Sequence, residues 1–255
     1  MNIPKIFLHK KVLLEEIVKL DLEQIHYLRN VLRLKNGEKI EIYDGQGGKS
    51  FGIFGDSKKE SLIQINEILS RNVEQYPKIT LAFAPIKGDY LFHALRMATE
   101  MGVRHFIPII TERCVRRNWP KKRCLSIIEH ACLQSEQPYI PEFNESIHLF
   151  ELLQAIESPS CKIIGVPRID THPYDFEHFL PASNSQTLLI LVGPEGGFTA
   201  EEGNWALSHD FFPVNISDTI LRADTAIIAM ITFANILRKI SFVGQKKLNK
   251  GEKHV

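Results

Sequence analysis

Strand-like and helix-like segments alternate along the chain from residue 78 to residue 240, and this alternation constrains the fold more than any other feature. Short apolar runs have the length of buried strands, and longer amphipathic segments separate most of them. The predicted strands are KITLAFAP, HFIPII, CKIIGVP, TLLILVG and FFPVNI. The predicted helices are GDYLFHALRMATEMGV, KKRCLSIIEHACLQS, TAEEGNWALSH and DTAIIAMITFANILRKI. This pattern predicts an α/β domain in which a parallel sheet is covered by helices on both faces.

The first seventy residues follow a different pattern. After a predicted strand near Ile6 to Leu8, apolar side chains recur every three or four residues, which predicts a helix over Leu22–Leu34 with Asp21 as its cap. The segments EKIEIYDGQGGKSFGIFG and SLIQINEIL then alternate apolar and polar residues. This part is therefore expected to form a small antiparallel barrel or sheet.

The change of pattern predicts two domains. Residues 71–77, RNVEQYP, are polar and end in proline, as is typical of a linker. We expect one domain over residues 1–72, a second over residues 73–245, and a flexible basic tail over residues 246–255.

Composition excludes several classes of protein. A chain of 255 residues that is 44% hydrophobic can bury a sizeable core, and its net charge of +1 argues against gripping nucleic acid with the whole surface. The four cysteines form no CxxC pair, which predicts reduced thiols and no metal site. No apolar run reaches the roughly 20 residues that span a bilayer, and the first residues lack a signal peptide pattern. A cytoplasmic protein without membrane contact is expected.

The segment LLILVGPEGGF, residues 188–198, ends a predicted strand in a loop that is rich in glycine. It lacks the lysine of a phosphate loop and the GxGxxG spacing, so an NTPase or an NAD enzyme is disfavoured. Glycines let a ligand approach the main chain, and Pro194 fixes one torsion, so the loop can offer amides and carbonyls to a flat polar group. Alternatively it is a tight turn into a helix capped by Thr199, with Glu202 completing a capping box. Both interpretations can hold together.

Arg222 and Asp224 directly precede an apolar helix, AIIAMITFANIL. A guanidinium near the edge of a core needs an anionic or carbonyl partner, so Arg222 is a candidate site residue. Asp224 can simply cap the helix.

A basic segment, ERCVRRNWPKKRC, combines Trp119 with six cations, which could neutralise phosphates while the indole stacks on a base. It can equally be a solvated turn, with Pro120 at the first position of a helix. The six cations are Arg113, Arg116, Arg117, Lys121, Lys122 and Arg123.

Three further basic residues lie on the predicted helix near the amino terminus. Arg29 and Arg33 are four residues apart and would share a face, and His26 precedes Arg29 by three residues. This face could contact phosphates or could be merely the solvated side of the helix.

Several motifs in one order resemble a known family. GPEGGF followed by ILRADTA, together with HYLRNVLRLKNGE, KGD, ATEMGV, ERCV and HACLQS, is similar to the ribosomal RNA small subunit methyltransferase E family. These are the uracil-N3 methyltransferases of 16S rRNA within the SPOUT superfamily, and the resemblance covers nearly the whole chain. It implies a PUA-like β-barrel that binds RNA, joined to a SPOUT-type parallel sheet with a carboxyl-terminal trefoil knot.

The resemblance also implies the ligands. The cofactor would be S-adenosylmethionine, the partner 16S rRNA or the small ribosomal subunit, and the protein a cytoplasmic homodimer without a metal. Because N3 of uracil carries a weakly acidic proton, Arg222 would orient the cofactor or the uracil, and Asp224 is a candidate base. RNA contacts are expected from His26, Arg29, Arg33, Arg113, Arg116 and Arg117. By motif position, the cofactor site would consist of Val166, Pro167, Val192, Gly193, Pro194, Glu195, Gly196, Gly197, Ile216, Ile220, Leu221 and Arg222.

The chain departs from the family pattern near the expected site. Where the family has a glutamate and QSGR, this chain has Leu133 and QSEQ. Before the ILR motif, Ser217 stands where the family has glycine. An RNA-binding or ribosome-binding relative with weak or lost methylation is therefore the alternative function. The departures are Leu133, Glu136, Gln137, Ser217, Thr219 and Asp224.

Overall fold

The computed structural model describes residues 3–57, 60–69, 78–114, 119–156, 159, 161–167 and 187–251. The chain divides into two compact units. The first contains Met1–Val73 together with Cys132–Ile140, and the second contains Glu74–Ala131 and Pro141–Val255. The predicted linker over residues 71–77 lies outside the described residues.

The first unit contains a five-stranded sheet with the strand order β1-β3-β4-β5-β2. The predicted alternating segments form β3, β4 and β5, which pair antiparallel as expected, and their inward side chains make the core with Leu28. Two features were not predicted: the short strand β2, and the parallel pairing of β1 with β3. The strands are β1 (Lys5–Phe7), β2 (Ile17–Lys19), β3 (Lys39–Tyr43), β4 (Lys49–Asp56) and β5 (Ser61–Ile68).

The predicted helix over Leu22–Leu34 is wrong in its length. The helix α1 covers Leu22–His26, with Asp21 as the predicted cap, and a π-helical turn, Tyr27–Val31, follows it. Arg33 lies beyond this turn with a φ of +55°, and the amide of Leu34 donates to the carbonyl of Leu28 at 2.9 Å. The reversal returns Leu34 to the core, so Arg29 and Arg33 do not share one helical face.

Glu136 also has a left-handed backbone, with a φ of +59°. This is one of the departures from the family pattern, where glycine is expected, and glycine adopts such a φ without strain. The side chain forms an ion pair with Lys5 at 2.8 Å, and this hydrogen bond lowers the pKa of the Glu136 carboxyl. Glu136, with its strained backbone, therefore has an ion-pair partner in Lys5.

The second unit contains a parallel sheet, as predicted, with the strand order β12-β10-β11-β6-β7-β8, and β9 also pairs with β7. Leu188, Leu189, Ile190 and Leu191 of β11 are all fully buried. Neighbouring side chains of a strand point to opposite faces, so both faces of this strand are covered. The strands are β6 (Lys78–Phe83), β7 (Val103–Ile110), β8 (Glu142–Phe143), β9 (Ile147–His148), β10 (Cys161–Gly165), β11 (Thr187–Val192) and β12 (Phe212–Val214).

Four α-helices accompany this sheet at the predicted places. The short strands β8 and β9 and the 3₁₀ helix Leu149–Gln154 were not predicted. The last helix continues to Gly251, six residues beyond the predicted end of the second domain at Gln245. No helix of the described residues is long and apolar enough to cross a membrane. The helices are α2 (Asp89–Glu100), α3 (Lys121–Gln134), α4 (Ala200–Ser208) and α5 (Ala223–Gly251).

Candidate functional site

A cavity of about 540 Å³ lies at the carboxyl ends of β10, β11 and β12. Ligands of parallel α/β sheets bind at this edge, and the volume lies within the roughly 300–1,000 Å³ typical of small-molecule sites. Three chain segments and one side of α5 surround it: residues 164–167, 192–199 and 214–221, with Ala223, Ala226, Ala229 and Met230. Arg113 and Gly203 complete the lining.

The structure brings together nearly all the residues that the sequence assigned to a cofactor. Eleven of the twelve residues line this one cavity. The twelfth, Arg222, is not part of the lining that the described residues form. The eleven are Val166, Pro167, Val192, Gly193, Pro194, Glu195, Gly196, Gly197, Ile216, Ile220 and Leu221.

Glycine is favoured at two positions of the loop over residues 193–199. A Cβ atom on Gly193 would lie 2.9 Å from the ring of Phe198, closer than real Cβ atoms approach. Gly197 has a φ of +69°, and its amide closes a turn by donating to the carbonyl of Pro194 at 2.8 Å. This loop therefore presents main chain to the cavity, as the glycine-rich sequence predicts.

Arg113 and Glu202 both form hydrogen bonds that hold the same loop. Arg113 Nη1 donates to the carbonyls of Gly196, at 2.9 Å, and Phe198, at 3.3 Å. The Glu202 carboxylate is 3% exposed and accepts from the amides of Thr199 and Glu112, each at 2.8 Å. The Thr199 hydroxyl accepts from the amide of Glu202, so the predicted capping box is confirmed.

The opposite wall of the cavity is the segment over residues 215–221. Asn215 Nδ2 donates to the carbonyls of Pro167, at 2.7 Å, and Val166, at 3.3 Å, which joins this segment to the end of β10. Ile216 is 41% exposed and Ile220 is 77% exposed, although both line the cavity. Ser217 has no positive φ, so serine fits this position without backbone strain.

Arg222 lies next to the cavity and contacts an aromatic ring. Its guanidinium carbon is 4.6 Å from the centre of the Tyr90 ring, and Nη1 donates to the Tyr90 hydroxyl at 3.4 Å. Leu221 and Ala223 on either side of it line the cavity. Asp224 is half-buried in the first turn of α5, inside the helix and past the cap position.

The residues predicted to contact RNA lie in different environments. Arg29 donates from Nε to Asp56 at 2.9 Å and from Nη2 to the Ser61 hydroxyl at 2.8 Å. The hydrogen bond from Arg29 lowers the pKa of the Asp56 carboxyl. His26 and Arg33 are exposed, and Arg113 contacts the glycine-rich loop.

Much of the basic segment is either paired or outside the described residues. Arg116 and Arg117 belong to the second group. Lys121 pairs with Glu145, and the guanidinium of Arg123 lies 3.9 Å from the ring centre of Phe92. The sequence predicted Pro120 at the first position of a helix. The helix α3 begins one residue later, at Lys121, so Pro120 directly precedes it.

The described part of the chain contains no group of three His, Cys, Asp or Glu side chains that could hold a metal ion. The four cysteines lie in the described residues, and none of them forms a disulfide bond. Burial raises the pKa of the Cys161 thiol to about 11, which disfavours the reactive thiolate.

Comparisons with known proteins identify the family. A model described as an RNA methyltransferase domain matches residues 74–235, and a model described as an RNA methyltransferase PUA domain matches residues 20–65. Ribosomal RNA small subunit methyltransferase E of Synechocystis sp. is 31% identical over 218 residues, 84% of this chain and 71% of that protein. This chain belongs to the ribosomal RNA small subunit methyltransferase E family.

Two further members of the methyltransferase E family extend the comparison. The Rickettsia conorii protein is 30% identical over 220 residues, 84% of this chain and 86% of that protein. The crystal structure from Neisseria gonorrhoeae, bound to S-adenosyl methionine, has a TM-score of 0.81 and 28% identity, and the match covers 92% of this chain and 98% of that one. The α/β fold with a parallel sheet and an amino-terminal PUA-like domain is thus shared with the family.

Proposed function

We propose that this chain methylates N3 of a uridine in the 16S rRNA of the small ribosomal subunit, with S-adenosylmethionine as the methyl donor. The observation that carries the proposal is the cavity at the carboxyl ends of β10, β11 and β12, in a chain that belongs to this methyltransferase family. Eleven residues assigned to the cofactor from the sequence line that cavity, although they come from three separate segments.

The lining residues fit the proposed cofactor. Main-chain groups of the loop over residues 193–197 are accessible because Gly193, Gly196 and Gly197 lack side chains, and they suit the polar edge of an adenine. Val166, Ile216 and Ile220 supply apolar surface for its faces. When bound, S-adenosylmethionine supplies a methyl group activated by a sulfonium.

Arg222 and Asp224 are the proposed catalytic residues. The N3 proton of uracil must leave before or during methylation, and the negative charge then spreads to the neighbouring oxygens. Arg222, at the rim of the cavity, supplies a cation that can stabilise these oxygens and keep the uracil in place. The half-buried Asp224 carboxylate, two residues further along, is the proposed proton acceptor.

We propose that His26 and Arg33 contact RNA, because both are exposed in the first unit. Arg116 and Arg117 stay in the proposed RNA surface on sequence grounds alone. Arg29 was assigned to the same surface, but its ion pair with Asp56 already neutralises it, so we assign it a smaller share of RNA binding.

The finer architecture is also a proposal. Family resemblance supports a trefoil knot in the carboxyl-terminal part, a closed barrel in the amino-terminal part, and domains over residues 1–72 and 73–245 with a flexible tail over 246–255. The order β12-β10-β11 places three loops that are distant in sequence around one cavity. A homodimer is supported by Ile236 and Ile240 of α5, each 52% exposed.

Mass spectrometry of nucleosides tests the function. 16S rRNA from cells with the gene deleted, restored, or restored as Arg222→Ala should contain 3-methyluridine only in the second case. Purified protein with S-adenosylmethionine and undermodified small subunits should restore the modification. If 3-methyluridine in 16S rRNA is unchanged by deletion, the proposed substrate is wrong.

A further inference from the structure

We propose that Arg113 and Glu202 are positioning residues that hold the glycine-rich loop, residues 193–199, in its cofactor-binding shape. Arg113 would therefore act on cofactor affinity and not on RNA affinity, although it lies in the most basic segment of the sequence. This inference rests on the proposed function, because it concerns the same cavity.

Arg113 contacts the loop at two nearby places. Its Nη1 atom donates to the carbonyls of Gly196 and Phe198, which holds both acceptors against the guanidinium. The stem of the side chain also packs on the loop, since a Cβ atom added to Gly196 would lie 3.3 Å from Arg113 Cβ. These contacts fix the guanidinium on the loop.

Glu202 connects the loop to the segment that carries Arg113. One carboxylate oxygen accepts from the amide of Thr199, at the end of the loop, and the other accepts from the amide of Glu112. The carboxylate is 3% exposed, and charge-assisted hydrogen bonds in such a place are stronger than neutral ones. Two segments about 85 residues apart are thus joined by one buried carboxylate and one arginine.

The two residues form a brace that holds the loop at two points. Arg113 fixes the middle of the loop through Gly196 and Phe198, and Glu202 fixes its end through Thr199. If the brace is removed, the loop keeps its sequence but spends less time in the binding shape, which lowers the apparent affinity for the cofactor.

The test compares Arg113→Ala, Arg113→Lys and Glu202→Gln with the wild type. Arg96→Ala is the matched control, because Arg96 also makes one exposed contact, to Glu100 at 2.8 Å, on a helix away from the cavity lining. Two dissociation constants are measured for each protein: S-adenosylmethionine by calorimetry, and an unmodified 16S rRNA transcript at several salt concentrations.

Arg113→Ala and Glu202→Gln should weaken S-adenosylmethionine binding by about tenfold or more, as expected for charge-assisted hydrogen bonds. Arg113→Lys keeps the charge but not the fork of donors, so its affinity should fall between those of the wild type and the alanine variant. RNA affinity and its salt dependence should match the wild type. If Arg113 instead neutralises a phosphate, Arg113→Ala reduces the salt slope of RNA binding by about one.

The outcomes separate this inference from the proposed function. A wild-type protein that does not bind S-adenosylmethionine overturns both. If the wild type binds S-adenosylmethionine and both Arg113→Ala and Arg113→Lys bind it equally tightly, only the brace is overturned. The brace is also overturned if the Arg113 variants lose RNA affinity but keep the wild-type affinity for S-adenosylmethionine. Glu202→Gln can lower stability because it places an amide against two N–H donors, so Arg113→Lys decides the matter if that variant fails to fold.

Discussion

The two walls of the cavity are built in different ways. The loop over residues 193–199 is held by a proline, a turn hydrogen bond, a capping box and the two side chains Arg113 and Glu202. The segment over residues 215–221 is held at its start by Asn215 and within itself by the amide of Thr219, which donates to Ser217 Oγ at 3.1 Å. Ile216 and Ile220 of the second segment are exposed, while at the first loop Val192 is buried and Phe198 is half-buried.

This difference indicates a division of labour between the walls. The glycine-rich loop is held by contacts within the protein, so we expect its contribution to affinity to come from preorganisation. The segment over residues 215–221 has exposed apolar surface that a ligand in the cavity would cover, so we expect its contribution to come from burial on binding. Changes in the first wall should therefore alter the free protein, and changes in the second should alter mainly the complex.

The largest effect is expected for Gly193→Ala in the first wall. The new methyl group would lie 2.9 Å from the Phe198 ring, and overpacking of this kind costs about 1–3 kcal/mol. The free energy of unfolding should fall by that amount in urea titrations, and S-adenosylmethionine should bind about ten- to a hundredfold more weakly by calorimetry.

Gly37→Ala is the control for this variant. Gly37 has a φ of +86° and open space around its Cβ position, so alanine costs about 1–2 kcal/mol through backbone strain alone. Gly37 lies in the first unit, outside the cavity lining, and cofactor affinity should stay at the wild-type value. Equal losses of affinity in both variants would mean that general destabilisation explains Gly193→Ala.

A smaller effect is expected for Ile220→Ala in the second wall, and it should fall on cofactor affinity and not on stability. Ile220 is 77% exposed, so its truncation should change the free energy of unfolding by no more than about 0.5 kcal/mol. S-adenosylmethionine affinity should fall about three- to tenfold, because less apolar area is buried on binding. Leu207→Ala, at a residue 53% exposed on α4, is the control and should leave both quantities unchanged. An unchanged affinity for Ile220→Ala contradicts the proposed role of this wall.

Asn215→Ala should lower both the stability of the free protein and the affinity for the cofactor, each by a modest amount. It removes the hydrogen bonds to Pro167 and Val166, which join the second wall to β10, at a cost of about 1 kcal/mol of stability. Cofactor affinity should fall by about two- to fivefold in the same calorimetric assay. If stability is unchanged and affinity falls strongly, Asn215 contacts the cofactor directly and does not act as a structural link.

The smallest effect is expected for the ion pair between Arg29 and Asp56 in the first unit. The hydrogen bond from Arg29 holds the pKa of Asp56 below its ordinary value of 3.8, so the ionised carboxylate stabilises the fold above pH 3.8. Asp56→Asn should lower the melting temperature slightly at pH 6, and the difference from the wild type should vanish as the pH falls through the lowered pKa. A difference that does not depend on pH would show that charge is not the cause.

Local patterns in the sequence account for much of the fold. The continuous apolar run of β11 and the alternating residues of β3, β4 and β5 are strand signals, and the Thr199 and Glu202 pair marks the start of α4. The chain reversal after the π-helical turn was not predicted, because arginine gives no sign of the left-handed backbone that Arg33 adopts. The strand β2 has only three residues, too few to show a period.

The lining of the cavity was predictable from motifs, and the contacts between distant segments that support it were not. The family resemblance assigned the glycine-rich loop and the segment around Ile220 to one site, and both line the cavity. The contact between Arg113 and Gly196 joins residues 83 positions apart, and the contact between Glu202 and Glu112 joins residues 90 positions apart. The density of charge around Arg113 indicated RNA, and only the folded contacts show its guanidinium on the loop.

Hydrogen exchange of backbone amides, with and without S-adenosylmethionine, tests the central claim most directly. The account predicts that the amides of Gly197 and Thr199, which are already hydrogen-bonded, exchange slowly in the free protein and gain little, while residues 216–221 exchange quickly and become strongly protected by the cofactor. Protection at neither segment, or protection confined to other parts of the chain, would contradict the assignment of this cavity to the methyl donor.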